Sequence, residues 1–420
     1  MEVLYPHCAG LDVHKRSVVA CVGHTDGRGH ATFTLRTFGS TTPELLELQA
    51  WLQHERVTHV AMEATGSYWK PVYNLLEAAF TTWVVNPAHM KNVPGRKTDI
   101  NDATWIADLL RHGLLTPSFI PDKPQRELRE LTRQRTQWLA ERARDINRVQ
   151  KVLEGANIKL ASVATDVMGV SGRAMLDRLV AGETDPEVLA DLAVGRLRAK
   201  HDALVPALQG RMGAHQRFLL GQLLGHIDEL TARITTLDEE IVRRVDPQEA
   251  TIRLLCTIPG LSRRLAEVIV AELGTDLSRF PDAEHVAAWA GLAPGQNESA
   301  GKRKRAGTRR GNRALRQALV LAAWAASHTK QTFVGTLYRR WVRRMPATKA
   351  IVALAHRLLI IVVHVMTTGE PYHDLGPTYH DARDRAQIVR RSVRRLERLG
   401  LRVTVEPIAP PDPPDLPATG

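Results

Sequence analysis

An acid stands inside an apolar, strand-forming run close to the start of this chain: Cys8-Ala9-Gly10-Leu11-Asp12-Val13. A second run, Val60-Ala61-Met62-Glu63, ends on another acid. Carboxylates in apolar strands are costly unless something pairs with them. Two more acids, Asp99 and Asp102, lie three apart in Lys97-Thr98-Asp99-Ile100-Asn101-Asp102-Ala103, where a helix is predicted to begin. Four converging carboxylates repel one another, and Mg²⁺ or Mn²⁺ relieves that repulsion. A site of this kind hydrolyses or transfers phosphodiesters. The fold must therefore bring two strand ends and a helix start together.

The pattern around these acids predicts such a fold. Residues 7–13, 17–24 and 30–38 are apolar and β-branched, and Thr25-Asp26-Gly27-Arg28-Gly29 is a turn signal between the last two. A helix is expected from Pro43 to His54, with Leu45, Leu46, Leu48 and Leu52 on one side. Strand 57–62, a helix near 69–79, strand 81–85 and a helix at 99–112 follow. The order βββαβαβα is that of an RNase H-like α/β fold. It puts Asp12 on the first central strand and Glu63 at the end of the fourth. Asp99 and Asp102 would share a face of the last helix. Either acid is equally at home as a helix cap. Asp108 is read as a surface acid, His14 and Lys15 as phosphate contacts or a solvated turn, and Tyr68 and Trp69 as core or helix-start packing, with base stacking as the lesser alternative.

The remainder is helical and basic. Residues 124–155 space Leu128, Leu131, Leu139, Ile146, Val149 and Leu153 by threes, fours and sevens. Residues 214–245 do the same with Leu219, Leu223, Ile227, Leu230, Ile234, Leu237 and Ile241. These predict two long amphipathic helices packed as an antiparallel hairpin, a scaffold or a dimer interface. Shorter helices are expected over 156–213. From Ile252, the turn Ile258-Pro259-Gly260 and a helix from Ser262 look like half of a helix-hairpin-helix, which presents backbone N–H groups to phosphate. The apolar stretch Ala350–Val365 is interrupted by His356, Arg357 and His364 and predicts a buried helix, not a membrane span. An Arg-rich helix Asp381–Leu399, a strand Leu401–Val405 and a disordered Pro-rich tail close the chain. A net charge of +12 and a pI near 9.9 point to a polyanion partner. Three cysteines without metal-type spacing fit a reducing cytoplasm, and the opening residues carry no signal-peptide pattern.

A second constellation lies in the last third. Ser299 sits between Glu298 and Ala300-Gly301, followed by Lys302, Arg303, Lys304, Arg305, Arg309, Arg310, Arg313 and Arg316. Gly301, Gly307 and Gly311 interrupt the basic run. This is either a solvated phosphate-binding loop or a phosphate-attacking hydroxyl among stabilising cations.

The motifs taken together resemble one family. They are Gly10-Leu11-Asp12-Val13-His14-Lys15, Met62-Glu63-Ala64-Thr65-Gly66 and Lys97 to Ala103 at one end. At the other they are Ile258-Pro259-Gly260, Gly291-Leu292-Ala293-Pro294, Ser299-Ala300-Gly301-Lys302 and Arg310-Gly311-Asn312-Arg313-Ala314-Leu315-Arg316. The chain resembles the IS110 group of insertion-sequence transposases, the DEDD recombinases. The resemblance implies a RuvC-like catalytic domain over 1–120, a helical coiled-coil linker over 121–250 and a mainly α transposase domain over 251–345. A helical extension over 346–405 and a tail over 406–420 would complete the chain. It implies that Asp12, Glu63, Asp99 and Asp102 hold Mg²⁺ (or Mn²⁺) and that Ser299 forms a covalent phosphoserine with DNA. It implies as partners donor and target DNA, an element-encoded bridge RNA and further copies of the chain, as a dimer or tetramer, with no membrane. The family commonly shows two adjacent serines before the glycine. Here Glu298 takes the first place, so only Ser299 is available, and the added carboxylate opposes DNA approach. The rival readings are a junction nuclease that acts through activated water and a non-catalytic nucleic-acid-binding protein.

Overall fold

The computed structural model describes residues 2–64, 66–87, 101–295, 298–299, 302–303, 307–308 and 311–406. They form two compact units, Met1–Asp122 and Lys123–Gly420.

The first unit is a five-stranded mixed sheet with helices on both faces. Its elements are β1 (His7–Val13), β2 (Ser17–Thr25), β3 (Ala31–Gly39), α1 (Thr42–His54), β4 (His59–Glu63), α2 (Trp69–Leu76), β5 (Thr81–Val85) and α3 (Asp102–Arg111). The strand order is β3-β2-β1-β4-β5. β1, β2 and β3 pair antiparallel, while β4 joins β1 and β5 joins β4 in parallel. The turn between β2 and β3 is held by Asp26, whose carboxylate accepts from the backbone N–H of Arg28 and His30.

Alternation along the strands splits the core in two. Ala9, Leu11 and Val13 join Leu45, Leu48 and Leu52 of α1 and Val72 and Leu76 of α2. Cys8, Ala61 and Val85 meet Trp105, Ile106, Leu109 and Leu110 of α3. Leu46, expected inside, is 51% exposed, because it lies a third of a turn from the stripe made by Leu45, Leu48 and Leu52. The last helix starts later than expected. Asn101 caps it by accepting from the N–H of Ala103, so Asp102 is its first residue and Asp99 precedes it, outside the described residues. The expected helix over 99–112 is thus observed over Asp102–Arg111.

Among its described residues the regular structure of the second unit is helical apart from one small hairpin. α4 (Lys123–Gly155) and α9 (Ala214–Val245) run antiparallel: Arg244 pairs with Glu127, Arg135 with Asp238, Arg142 with Thr231 and His226 with Asp145. Four shorter helices lie between them, α5 (Leu160–Val163), α6 (Val170–Ala181), α7 (Pro186–Ala190) and α8 (His201–Leu208), and share a core with Val149 and Leu153 of α4 and Leu220, Leu224 and Ile227 of α9. The seam departs from the apolar pattern. Thr132, Arg135 and Asp145 are buried in α4, and in α9 Leu220 and Leu224 are inside while Leu219 is 37% exposed.

The rest comprises α10 (Glu249–Cys256), α11 (Arg263–Leu273), α12 (Ala283–Trp289), β6 (Glu298–Ser299), β7 (Lys302–Arg303), α13 (Arg313–Ser327), α14 (Phe333–Val342), α15 (Ala347–Thr368), α16 (Tyr379–Arg383) and α17 (Arg385–Glu397). α15 is long and apolar enough to cross a membrane. Here it buries Ile351, Leu354, Leu358, Leu359 and Val362 in the core shared with α10–α14. Residues Leu401–Val405 form no strand, because among the described residues of this unit no free edge meets them; Leu401 and Val405 are each 55% exposed. The Pro-rich tail from Pro407 lies outside the described residues.

Candidate functional site

Two of the four acids are placed by strand register. Gly10 stands beside Ala61 and Leu11 beside Met62 in the parallel β1–β4 pair. One step further brings Asp12 beside Glu63, at the ends of both strands. Paired positions in a parallel sheet project to one face, and parity with Cys8 and Gly10 turns Asp12 to the face covered by α3.

Gly10 fixes where that helix lies. A Cβ added there would sit 2.2 Å from the Ala103 carbonyl oxygen and 2.4 Å from the Ala107 nitrogen. The Cys8 thiol donates to the Ala107 carbonyl at 3.5 Å. Moving forward along β1 from Cys8 to Gly10 thus moves back along α3 from Ala107 to Ala103. The helix runs against the strand, and its first residue, Asp102, overlies the strand end that carries Asp12. The N-terminus of a helix is electropositive, which favours carboxylates gathered there. Gly10→Val is expected to lower stability by about 3 kcal/mol, the upper part of the overpacking range, because the obstacle is helix backbone. Chemical denaturation monitored by far-UV circular dichroism checks it.

Asp12 keeps 25% of its side chain exposed, and its Oδ2 lies 3.1 Å from His14 Nε2. The Cys8 thiol under α3 is pushed up to about 12 by burial, and that of Cys21 is also raised by burial. Both are neutral packing groups, so the donors at this end of the sheet are the carboxylates and the His14 imidazole. A carboxylate set suits a hard divalent cation. Among the described residues no three His, Cys, Asp or Glu are drawn together into a ligand cluster. Asp12 and Glu63 lie at the ends of two adjacent interior strands, and Asp102 begins the helix packed on that face.

Ser299 lies at the tip of a two-stranded hairpin. Ser299 pairs with Lys302 and Glu298 with Arg303. Lower down, Pro294 bridges Thr308, and the Gly295 N–H donates to the Gly307 carbonyl at 3.1 Å. The described residues of this basic segment thus pair as a short hairpin that carries Ser299 on its first strand. Its base is clamped by glycine. A Cβ on Gly311 would sit 2.3 Å from the Gly291 nitrogen and 2.5 Å from the Trp289 carbonyl oxygen. The backbone of Asn312 donates to that same carbonyl. Arg313 and Arg316 occupy the first turn of α13, while Lys304, Arg305, Arg309 and Arg310 lie outside the described residues. The turn at Gly260 is packed rather than presented to a ligand: a Cβ there would meet the Ala322 carbonyl oxygen of α13 at 2.4 Å.

Residues that the sequence did not single out hold this hairpin. Glu272 on α11 is fully buried. It accepts from Arg133 Nε at 2.7 Å and Nη2 at 2.8 Å, and from Asn312 Nδ2 at 2.7 Å. The Asn312 side-chain oxygen in turn caps α13 by accepting from the Leu315 N–H. Burial pulls the Arg129 guanidinium down to about 10, whereas the hydrogen bonds to Glu272 hold Arg133 above its ordinary value. Glu272→Ala would strand two arginines and the cap, a loss of about 3–5 kcal/mol. Thermal unfolding is the check. The signal available in the sequence was Asn312 itself, an N-cap residue just after Gly311.

Residues 9–158 match a transposase family of the DEDD, IS110 type, and residues 252–338 match the transposase family of IS116, IS110 and IS902. The chain belongs to the IS110 group of transposases. Together the two matches span more than half of it, covering the acid-bearing sheet and the Ser299 hairpin. A 42 kDa protein of insertion element IS900 from Mycobacterium paratuberculosis is 28% identical over 303 residues, 67% of this chain and 74% of that one. The pilin gene-inverting protein of Moraxella bovis is 24% identical over 388 residues, 86% of this chain and 96% of that one. A solved structure of RuvC from T. thermophilus with a Holliday junction substrate shares 15% identity over 27% of this chain and 99% of that one, at a TM-score of 0.20, too low to decide the fold. The IS110-group protein is a DNA transposase, and membership in a DEDD family implies dependence on a divalent metal.

Proposed function

We propose that this transposase cuts and rejoins DNA through a phosphoserine on Ser299, assisted by Mg²⁺ or Mn²⁺ at Asp12, Glu63, Asp99 and Asp102. The observation that carries the reading is the position of Ser299: it stands in a short hairpin clamped at its base, opposite Lys302, with Arg303 next on the returning strand and further cations following in the sequence. The Ser299 hydroxyl attacks a backbone phosphorus and loses its proton. A serine–phosphate bond forms, the phosphorus–oxygen bond to deoxyribose breaks, and the departing oxygen takes up a proton as a free hydroxyl. Attack by a hydroxyl on the phosphoserine reverses these steps, so strands are rejoined without ATP. Lys302, Arg303, Lys304, Arg305, Arg309, Arg310, Arg313 and Arg316 hold phosphates and offset charge developing at phosphorus. The bound cation would polarise phosphoryl oxygens. The sheet order and the Asp12–Glu63 register support an RNase H-like, RuvC-like unit. The antiparallel α4–α9 pair supports a coiled-coil linker over 121–250, before a transposase domain over 251–345 and an extension over 346–405. An element-encoded bridge RNA and a homo-oligomer belong to the reading through the family resemblance. The test is a denaturing gel on end-labelled DNA, in which a protein–DNA adduct forms with the native chain and is absent with Ser299→Ala.

A further inference from the structure

The second unit contains a cleft of about 1020 Å³ between α4 and the start of α13. Its walls carry Arg133 and Arg144 from α4 and Arg313 from α13, and its floor is formed by Leu265, Val268 and Trp289. Most other arginines of α4 that line packed surfaces are bound to carboxylates, as Arg135 is to Glu267 and Arg148 to Asp145. Arg144 and Arg313 differ. Both are exposed, and neither forms an ion pair with any described residue. The first turn of α13 has no acid, and its amide groups face anions as those of any helix start do. Against the single acid Glu141, the cleft carries two guanidinium groups without an ion pair and the Trp289 ring, over which the Arg129 guanidinium lies at 6.0 Å. Cations beside an aromatic ring suit a ligand that is anionic along one side and flat and apolar along the other.

Single-stranded nucleic acid has that chemistry. A volume of about 1020 Å³ is at the upper end of small-ligand pockets, about 300–1,000 Å³, and is room for a few nucleotides rather than a length of duplex. We propose that this cleft seats a few nucleotides of single-stranded nucleic acid, phosphates on Arg144 and Arg313 and a base against Trp289, beside the hairpin that carries Ser299. This deepens the transposase reading and rests on it for the role of the strand. Gly311 and Asn312 line the cleft and end the hairpin, so the seated strand lies at the base of the serine-bearing hairpin.

The experiment is fluorescence anisotropy on the full chain with labelled single-stranded DNA and RNA probes of one sequence, about 12 nucleotides long. Each binding curve is repeated over a salt series. Arg144→Gln and Arg313→Gln are each expected to flatten the slope of log K against log salt by about 0.7 for the strand that occupies the cleft. The probe whose slope does not change is not the occupant. Ala140→Trp, which fills the cleft from α4 without changing charge, is expected to weaken the same probe several-fold. Both arginines are exposed, so the variants fold. Unchanged affinity and slope for both probes in the Arg144→Gln, Arg313→Gln double variant would overturn the proposal. Ser299→Ala separates the two readings, because it is expected to keep strand binding while losing the adduct. If the native chain forms no adduct but the arginine variants still lose strand binding, the serine mechanism fails and the cleft stands.

Discussion

Ser299→Ala is expected to bind DNA like the native chain and to lose strand transfer by on the order of 10⁴-fold or more, with no covalent adduct. The size follows from the turn itself. Its residues are Glu298, Ser299, Ala300, Gly301 and Lys302, so no second hydroxyl stands at the tip to take over. The fold has no reason to change: Ser299 is in a two-residue strand whose hairpin is fixed at its base by the Gly291–Gly311 contact and by the cap at Asn312. Gel-shift affinity therefore separates a lost nucleophile from a lost interface. An adduct that persists in the alanine variant would remove the serine from the reaction. Cleavage that persists without any adduct would return the molecule to hydrolysis by activated water, the chemistry of a junction nuclease.

The fold of the first unit was legible because its signals are local. Strand runs, the Asp26 turn and the acid at the end of β4 all follow from neighbouring residues, and β5 matches its expected span, Thr81–Val85. The start of α3 was misplaced for an equally local reason. Asp99 and Asp102 were the expected caps, whereas the side chain between them, Asn101, takes the Ala103 N–H. In the second unit the apolar spacing found both long helices but not what fills their seam. Arg135 is 2% exposed, and its partner Glu267 lies 132 residues further along the chain. A pattern that counts apolar residues treats such an arginine as surface, because its neutralising acid is remote in sequence. Glu272 was invisible in the same way, although it ties α4 to the cap of α13 through Arg133 and Asn312. The strand expected at Leu401–Val405 failed for the opposite reason. Alternation was present, but a strand needs an edge to pair with, and local pattern carries no information about edges.

Asp12→Asn is the second large effect, expected to lower DNA cleavage by on the order of 10³-fold or more while leaving the unit folded. The amide has nearly the shape of the carboxylate, so the packing of β1 against β4 and α3 is kept. What is lost is one negative charge beside Glu63. Without metal, removing the acid beside Glu63 relieves repulsion, so the melting temperature of the variant is expected to equal or exceed that of the native chain. Adding Mg²⁺ should then separate the two proteins. A cation held by the native site at 100 times its dissociation constant stabilises by about 2.7 kcal/mol, and the asparagine variant should gain far less. This readout needs no DNA and no turnover, which keeps it independent of Ser299. Equal stabilisation of both chains by Mg²⁺, or full cleavage by the variant, would show that Asp12, Glu63 and Asp102 do not hold the metal on which a DEDD transposase depends.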